Sequence, residues 1–245
     1  MRLDKLLAQN QISRKEMKQA LFQQNILVDS LPARKLSQNV DTGLQVISLH
    51  GQPITAPPHR YYLLHKPAGI VTANQDQKHQ TVMDMLQPYD YNPNLYAIGR
   101  LDRDTTGLLL LTDNGPLGFQ LLHPSYHVQK TYQVVVNGQL EESAIQAFAT
   151  GVTFHDGTQC KPAKLVIHTS NPTCSTASLT ISEGKFHQVK KMFLTVGVKV
   201  TSLTRTQFGE FRLDPDLPAG NYRPLNAQEL AIIKSYLEKT RSIFL

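Results

Sequence analysis

Residues 108 to 111 are four consecutive leucines, held between Gly107 and Thr112 in the string GLLLLT. A short apolar run bounded by turn formers is a strand that has to be buried, so a domain with a real hydrophobic core must surround it. Directly before it stands GRLDRDTT and directly after it TDNG, which places three carboxylates around the leucines. Thr112, Asp113, Asn114 and Gly115 are turn-forming residues, and Asp113 reads most simply as a turn former or as the cap of a helix over PLGFQLL. Asp104, followed by two threonines, can cap its own loop. Asp102, just after Arg100 and Leu101, has no such local duty. It is either half of a structural ion pair or a reactive group at the lip of a cleft, and composition leaves the two readings level.

With 245 residues, 40% hydrophobic and 18% charged, the chain has room for one large domain or for a medium and a small one. No stretch reaches the roughly 18 unbroken apolar residues of a membrane span. The opening MRLDKLLAQNQISRKE lacks the apolar core of a signal peptide, so a cytoplasmic location is expected. Cys160 and Cys174 have neither CxxC nor Cys/His spacing and read as reduced thiols. His123 and His127 stand four apart, but Pro124 between them disfavours a regular helix, and no metal is expected there.

Charge is uneven along the chain. Residues 1 to 60 hold 8 Lys/Arg against 4 Asp/Glu, so most of the excess behind the net +6 lies in the first quarter. There, Ser13 followed by Glu16 is a capping-box signature for a helix carrying Met17, Ala20 and Leu21 on one face. A shorter helix is expected over residues 2 to 9, and ILVDS and LQVISL read as short strands around a turn at Asp41 to Gly43. Arg2, Lys5, Arg14, Lys15 and Lys18 then lie on polar faces, either as a solvated surface or as a grip on a phosphate backbone. The stretch 51–60, GQPITAPPHR, reads as a linker between a domain 1–50 and a domain 61–245.

In the second domain RYYLLHKPAGIVTA predicts two strands around a Pro-Gly turn. Further strands are expected at GLLLLT, KTYQVVVNG, AKLVIH, TASLTIS and VTSLTRTQFG, and helices at TVMDML, EESAIQAFATG, HQVKKMFLTVG and AQELAIIKSYLEKT. Strand runs with interspersed helices argue for an α+β domain on a mainly antiparallel sheet. In TISEGKFHQVKKMF, Lys185, His187, Lys190 and Lys191 crowd a helix start, where the macrodipole favours anions. An anion nearby would settle them: Asp102, RNA phosphate, or both. By periodicity alone Tyr132, in the strand KTYQVVV, belongs to core or cross-strand packing.

GRLDRDTTGLLLLTDNG, KTYQVVV and EGKFHQVKKMF, in this order and spacing, closely resemble the motifs of the RsuA branch of pseudouridine synthases. The front module MRLDKLLA...ISRKE is similar to the S4-like (alpha-L) RNA-binding domain that these enzymes carry, and the resemblance extends over essentially the whole chain. One departure is Asn25, where such modules often have glycine in the turn after the second helix; Asn tolerates a left-handed backbone. HQVKKMF points to the branch acting on the small subunit, at uridine 516 of 16S ribosomal RNA, since large-subunit relatives tend towards EGRNREVRR. A large-subunit target, or a catalytically silent ribosome-assembly role, are the rival readings.

The resemblance implies a pseudouridine synthase fold, a monomer, ribosomal RNA as partner and no cofactor, since the isomerisation forms no bond to anything external. It gives Asp102 the sugar C1′, either by covalent attack or by removing a sugar proton to give a glycal, with Lys190 as its cation where many relatives use arginine. Tyr132 would stack the extruded base and help to move the C5 proton. Arg100 would support the displaced nucleotide, and Leu101, Lys185, His187 and Gln188 would line the substrate. Arg2, Lys5, Ser13, Arg14, Lys15 and Lys18 would meet RNA.

Overall fold

A computed structural model describes residues 1–239, so Thr240, which the sequence pattern puts at the end of the last helix, lies outside the described residues. The chain divides into two compact units. The first comprises Met1–Tyr62, Thr112–Gln120 and the segment from Pro224 onward; the second comprises Leu63–Leu111 and Leu121–Arg223.

The first unit opens with helices α1 (Leu3–Gln9) and α2 (Arg14–Phe22), followed by strands β1 (Ile26–Val28), β2 (Leu31–Pro32), β3 (Ile47–Leu49) and β4 (Gln52–Pro53) in a sheet ordered β2-β1-β3-β4. Leu3, Leu6 and Leu7 recur on one face of α1 and Met17 and Ala20 on one face of α2, and both faces bury against Ile26, Val28, Ile47 and Leu49. Ser13 caps α2 as its sequence requires, its Oγ accepting from Glu16 N at 3.2 Å. The turn after α2 departs from expectation: the left-handed residue is Gln24, with φ 59°, and not Asn25. Asn25 N instead donates back to Ala20 O, and this carbonyl bond closes the helix end one position beyond the left-handed residue. The segment read as a linker contributes β4, and its end is tied down as well. Asp113 accepts from Arg60 N and pairs with His59 Nδ1 at 2.9 Å, so its carboxylate fastens the chain at residues 59 and 60.

Most residues of a nine-stranded sheet belong to the second unit. The strands of this sheet are β5 (Tyr61–Lys66), β6 (Tyr96–Ile98), β7 (Thr106–Thr112), β8 (Lys130–Val136), β9 (Lys164–Ser170), β10 (Ser175–Ile181), β11 (Val200–Phe208), β12 (Phe211–Arg212) and β13 (Tyr222–Pro224). The order β13-β5-β7-β11-β8-β10-β9, with β12 on β11 and β6 on β7, puts the leucine strand β7 inside the sheet, and Leu108 to Leu111 are all at most 2% exposed. Pairing is antiparallel for β9, β10, β8, β11 and β12 and parallel between β7 and β11. The fold is therefore α+β on a mixed sheet.

Helices α3 (Gly115–Leu122), α4 (Glu142–Thr150), α5 (Gln188–Thr195) and α6 (Ala227–Lys239) complete the chain. Phe148 of α4 meets Phe193 of α5 edge to face at 5.2 Å, both fully buried, in the core that also holds Leu101, Tyr132 and Leu179. Two expected elements are absent from their places. TVMDML is a single turn: Thr81 N and Oγ1 bond Asp84 Oδ2, Val82 N is drawn to Val71 O, and Pro88 prevents a helix from running on. The second strand of RYYLLHKPAGIVTA is reduced to one bridge, between Val71 and Thr81.

Candidate active site

The loop between β6 and β7 carries Arg100 to Thr105, and buried groups behind it hold its backbone. Thr72 Oγ1 donates to Leu101 O at 2.8 Å and accepts from Leu101 N at 3.2 Å, fixing the peptide just before Asp102. Lys66, fully buried, donates to Pro67 O, Arg103 O and Thr105 O at 3.0, 3.3 and 2.9 Å. Burial pushes its ammonium down to about 8, against the opposing pull of Asp104 and Asp102. With Leu101 5% exposed and Thr105 2% exposed, Asp102 stands on an anchored base while its own side chain remains 31% exposed.

The partners of Asp102 come from the start of α5. Lys190 Nζ lies 3.2 Å from Asp102 Oδ2 and 2.6 Å from Asp104 Oδ1, and His187 Nε2 lies 3.7 Å from Asp102 Oδ1. Burial works to lower the Lys190 ammonium, but hydrogen bonds to Asp104 and Asp102 lift it above the ordinary lysine range. Asp104 is held below the ordinary carboxylate range, first by its bond from Lys190. The crowded cations at this helix start are therefore answered by protein carboxylates, since Lys185 also pairs with Glu183 at 2.5 Å and Lys191 with Asp156 at 3.3 Å. Gln188 is 4% exposed and turns inward, accepting from Lys185 N and donating to Glu183 Oε1, which shapes the 183–188 turn from within. Phe186, 75% exposed, stacks on His187 at 3.8 Å.

Asp102 borders a cleft of about 770 Å³, to which Arg100, Leu101, Tyr132, Lys185, His187, Gln188 and Lys190 also contribute. The volume falls in the range of small-molecule sites, roughly 300 to 1,000 Å³. Tyr132, on β8, is 7% exposed, so one residue serves both the core and the cleft wall. The loop, strand and helix residues marked in the sequence as a possible site thus come together. Arg2, Lys5, Ser13, Arg14, Lys15 and Lys18 belong to the other compact unit. There Arg2 pairs with Asp4 at 2.6 Å, Ser13 Oγ is taken up by the α2 cap, and Lys5, Arg14, Lys15 and Lys18 are exposed.

Three cleft or loop residues were missed by sequence reasoning: Lys66, Thr72 and Arg205. Lys66 and Arg205 did leave a signal, each being a cation within an otherwise apolar or alternating strand, YYLLHK and VTSLTRTQF. Thr72 left none.

The chain belongs to the RNA pseudouridylate synthase family, whose pattern its residues 60–195 match; it is an isomerase acting on RNA. Among its relatives is the Bacillus subtilis (strain 168) protein named Uncharacterized RNA pseudouridine synthase YtzG, 40% identical over 234 residues that make up 95% of this chain and 98% of that one. The Ribosomal small subunit pseudouridine synthase A of Escherichia coli (strain K12) is 39% identical over 242 residues, covering 95% of this chain and all of the relative. A crystal structure of a pseudouridylate synthase superposes with a TM-score of 0.67 at 34% identity, covering 95% of this chain and 99% of that chain. No helix among the described residues is long and apolar enough to cross a membrane.

Proposed function

We propose that this enzyme isomerises one uridine of small-subunit ribosomal RNA to pseudouridine, at the position equivalent to uridine 516 of 16S RNA, and that it works as a monomer. The single observation that carries the chemistry is the ion pair of Asp102 with Lys190 at the mouth of a cleft walled by Tyr132. Breaking the bond between C1′ and N1 leaves positive character on the sugar, which a carboxylate can trap or stabilise. Asp102 has an anchored backbone and a partly exposed head, the combination such a group needs. Lys190, with its ammonium 3.2 Å from Oδ2, keeps it aimed.

For C1′ to reach Asp102 the nucleotide must leave its stack, at a cost of a few kcal/mol. Stacking on the Tyr132 ring returns roughly 1 to 3 kcal/mol. Arg100, exposed on the rim, supports the displaced nucleotide, Leu101 keeps the freed base from solvent, and Lys185, His187 and Gln188 line the same site. The two helices and strands β1 to β3 of residues 1–50 act as an S4-like RNA grip, joined by residues 51–60 to the catalytic domain 61–245, with Lys5, Arg14, Lys15 and Lys18 supplying exposed charge and Arg2 and Ser13 beside them.

The small-subunit target is favoured because most of the chain aligns with relatives named for that subunit. Mapping pseudouridines chemically in ribosomal RNA from cells lacking the protein tests the reading. Loss of one small-subunit site is expected; loss of a large-subunit site instead, or of none, refutes it.

A further inference from the structure

Arg205 is 1% exposed, yet its guanidinium has no carboxylate partner among the described residues. Its Nε donates to Leu108 O at 2.8 Å, while Nη2 is buried without a hydrogen-bond partner. An unpaired charge at such depth is costly, and its persistence calls for a partner that arrives later. Strand register puts Arg205 of β11 directly opposite Tyr132 of β8, so the two side chains share the sheet face that walls the cleft. Gly99, three residues before Asp102, lines the same cleft and lies beside the guanidinium: a Cβ there would stand 3.6 Å from Arg205 Nη1, an ordinary contact distance. Lys130 lies on the same Phe208 ring as Arg205, at 5.1 and 5.2 Å, and it too has no carboxylate partner among the described residues. The cleft is thus bordered by an anion on one strand-end loop and by unpaired cations on the sheet.

We infer that Arg205 binds the carbonyl oxygens of the target uracil and stabilises the negative charge that the base carries once its glycosidic bond has broken. The inference deepens the reading in which Asp102 acts at the sugar, and rests on it. When the C1′–N1 bond breaks, its electron pair stays on the base, spread over N1 and both carbonyl oxygens. Asp102 meanwhile takes up C1′ or a sugar proton. After the base turns, an electron pair of the ring forms the C5–C1′ bond and the carboxylate leaves, or returns its proton. C5 then loses a proton and N1 gains one, so atoms and electrons balance. Arg205 donates hydrogen bonds but no proton, since a guanidinium stays charged throughout.

The test compares single-turnover rates on two versions of the target RNA, with uridine or 5-fluorouridine at the modified position, read as chromatographic loss of the starting nucleoside. Fluorine at C5 already stabilises the uracil anion, so the second RNA demands less of Arg205. Arg205→Met is expected to slow the uridine RNA by about 10²-fold, the usual scale for losing one donor to a developing oxyanion, and the fluorinated RNA by less than about 10-fold. Arg205→Lys, which keeps the charge and serves if the methionine variant fails to fold, should show the same inequality on a smaller scale. Equal losses on both RNAs, from variants with native circular dichroism, would make Arg205 a packing residue and overturn the inference alone. A wild-type enzyme that converts neither RNA would overturn the functional reading and this inference with it.

Discussion

Lys190 Nζ stands nearer to Asp104, at 2.6 Å, than to Asp102, at 3.2 Å. The Asp104 side chain is 73% exposed, so water screens the shorter of the two pairs the more strongly. One ammonium therefore serves two acids, and the more deeply set acid is the one bordering the cleft. Asp104→Asn leaves Lys190 to Asp102 alone and should keep the turnover within about threefold of the parent, as befits the loss of an exposed pair. Lys190→Met should lower single-turnover isomerisation by about 10²-fold, with Lys190→Arg retaining most of it. A methionine variant as fast as the parent would remove the ammonium from the chemistry.

Asp102→Asn keeps the shape of the side chain and removes its charge. Isomerisation should vanish while affinity for target RNA, measured by filter binding, stays near that of the parent. Measurable turnover close to the parent rate would end the role assigned to this acid.

Lys66 couples the loop behind Asp102 to pH. Its ammonium is depressed to about 8 in the folded chain and titrates near 10.4 when unfolded, so between these values the unfolded chain binds more protons. The cost of burying its charge is felt in full below about pH 8 and fades as pH rises towards about 10. The urea midpoint of the parent should therefore gain on that of Lys66→Met between pH 7 and pH 10. A constant gap would contradict the depressed ammonium.

Gly107 has φ 108°, and a Cβ there would fall 2.6 Å from the Arg205 backbone nitrogen, in the parallel pairing of β7 with β11. Gly107→Ala should cost about 3 kcal/mol or more, through backbone strain and strand separation together. Thermal unfolding monitored by circular dichroism reads the loss directly; a melting temperature equal to the parent's would show that the strands adjust.

Neutralising Arg14 and Lys15 together should weaken RNA binding and flatten its salt dependence, by about 0.7 to 0.9 in the log–log slope for each phosphate the variant no longer neutralises. An unaltered slope would take the grip away from α2.

Much of this architecture was legible because its signals are local. The leucine run, the Ser13 cap and the alternation in KTYQVVV each need only a few residues to be read, and each is found where expected. The short helix over residues 81–86 failed because Pro88 and a bridge to Val71 decide its fate, and the bridge is remote in sequence. Asp113 reads as a turn former or a cap from its neighbours, and what these do not reveal is that its carboxylate accepts from Arg60 N more than fifty residues earlier. The ambiguity of Asp102 was of another kind: periodicity cannot tell an ion pair from a reactive acid, and in the structure the residue is paired while also bordering a cleft. Thr72 stayed hidden, and Lys66 and Arg205 showed only as cations within strands, because what marks all three is their bonding to backbone carbonyls or amides.

The parallel join of β7 to β11 brings Arg205 Nε to the carbonyl of a residue 97 positions earlier, and Lys190 reaches back 86 positions to Asp104. Closing such long loops is slow, since their entropy is spent before any interaction repays it. During translation Asp102 emerges from the ribosome well ahead of Lys190 and Arg205, and the cleft is incomplete until the strand ending at Phe208 has followed. Until then a nascent chain lacks the helix and strand that bring Lys190 and Arg205 to the cleft.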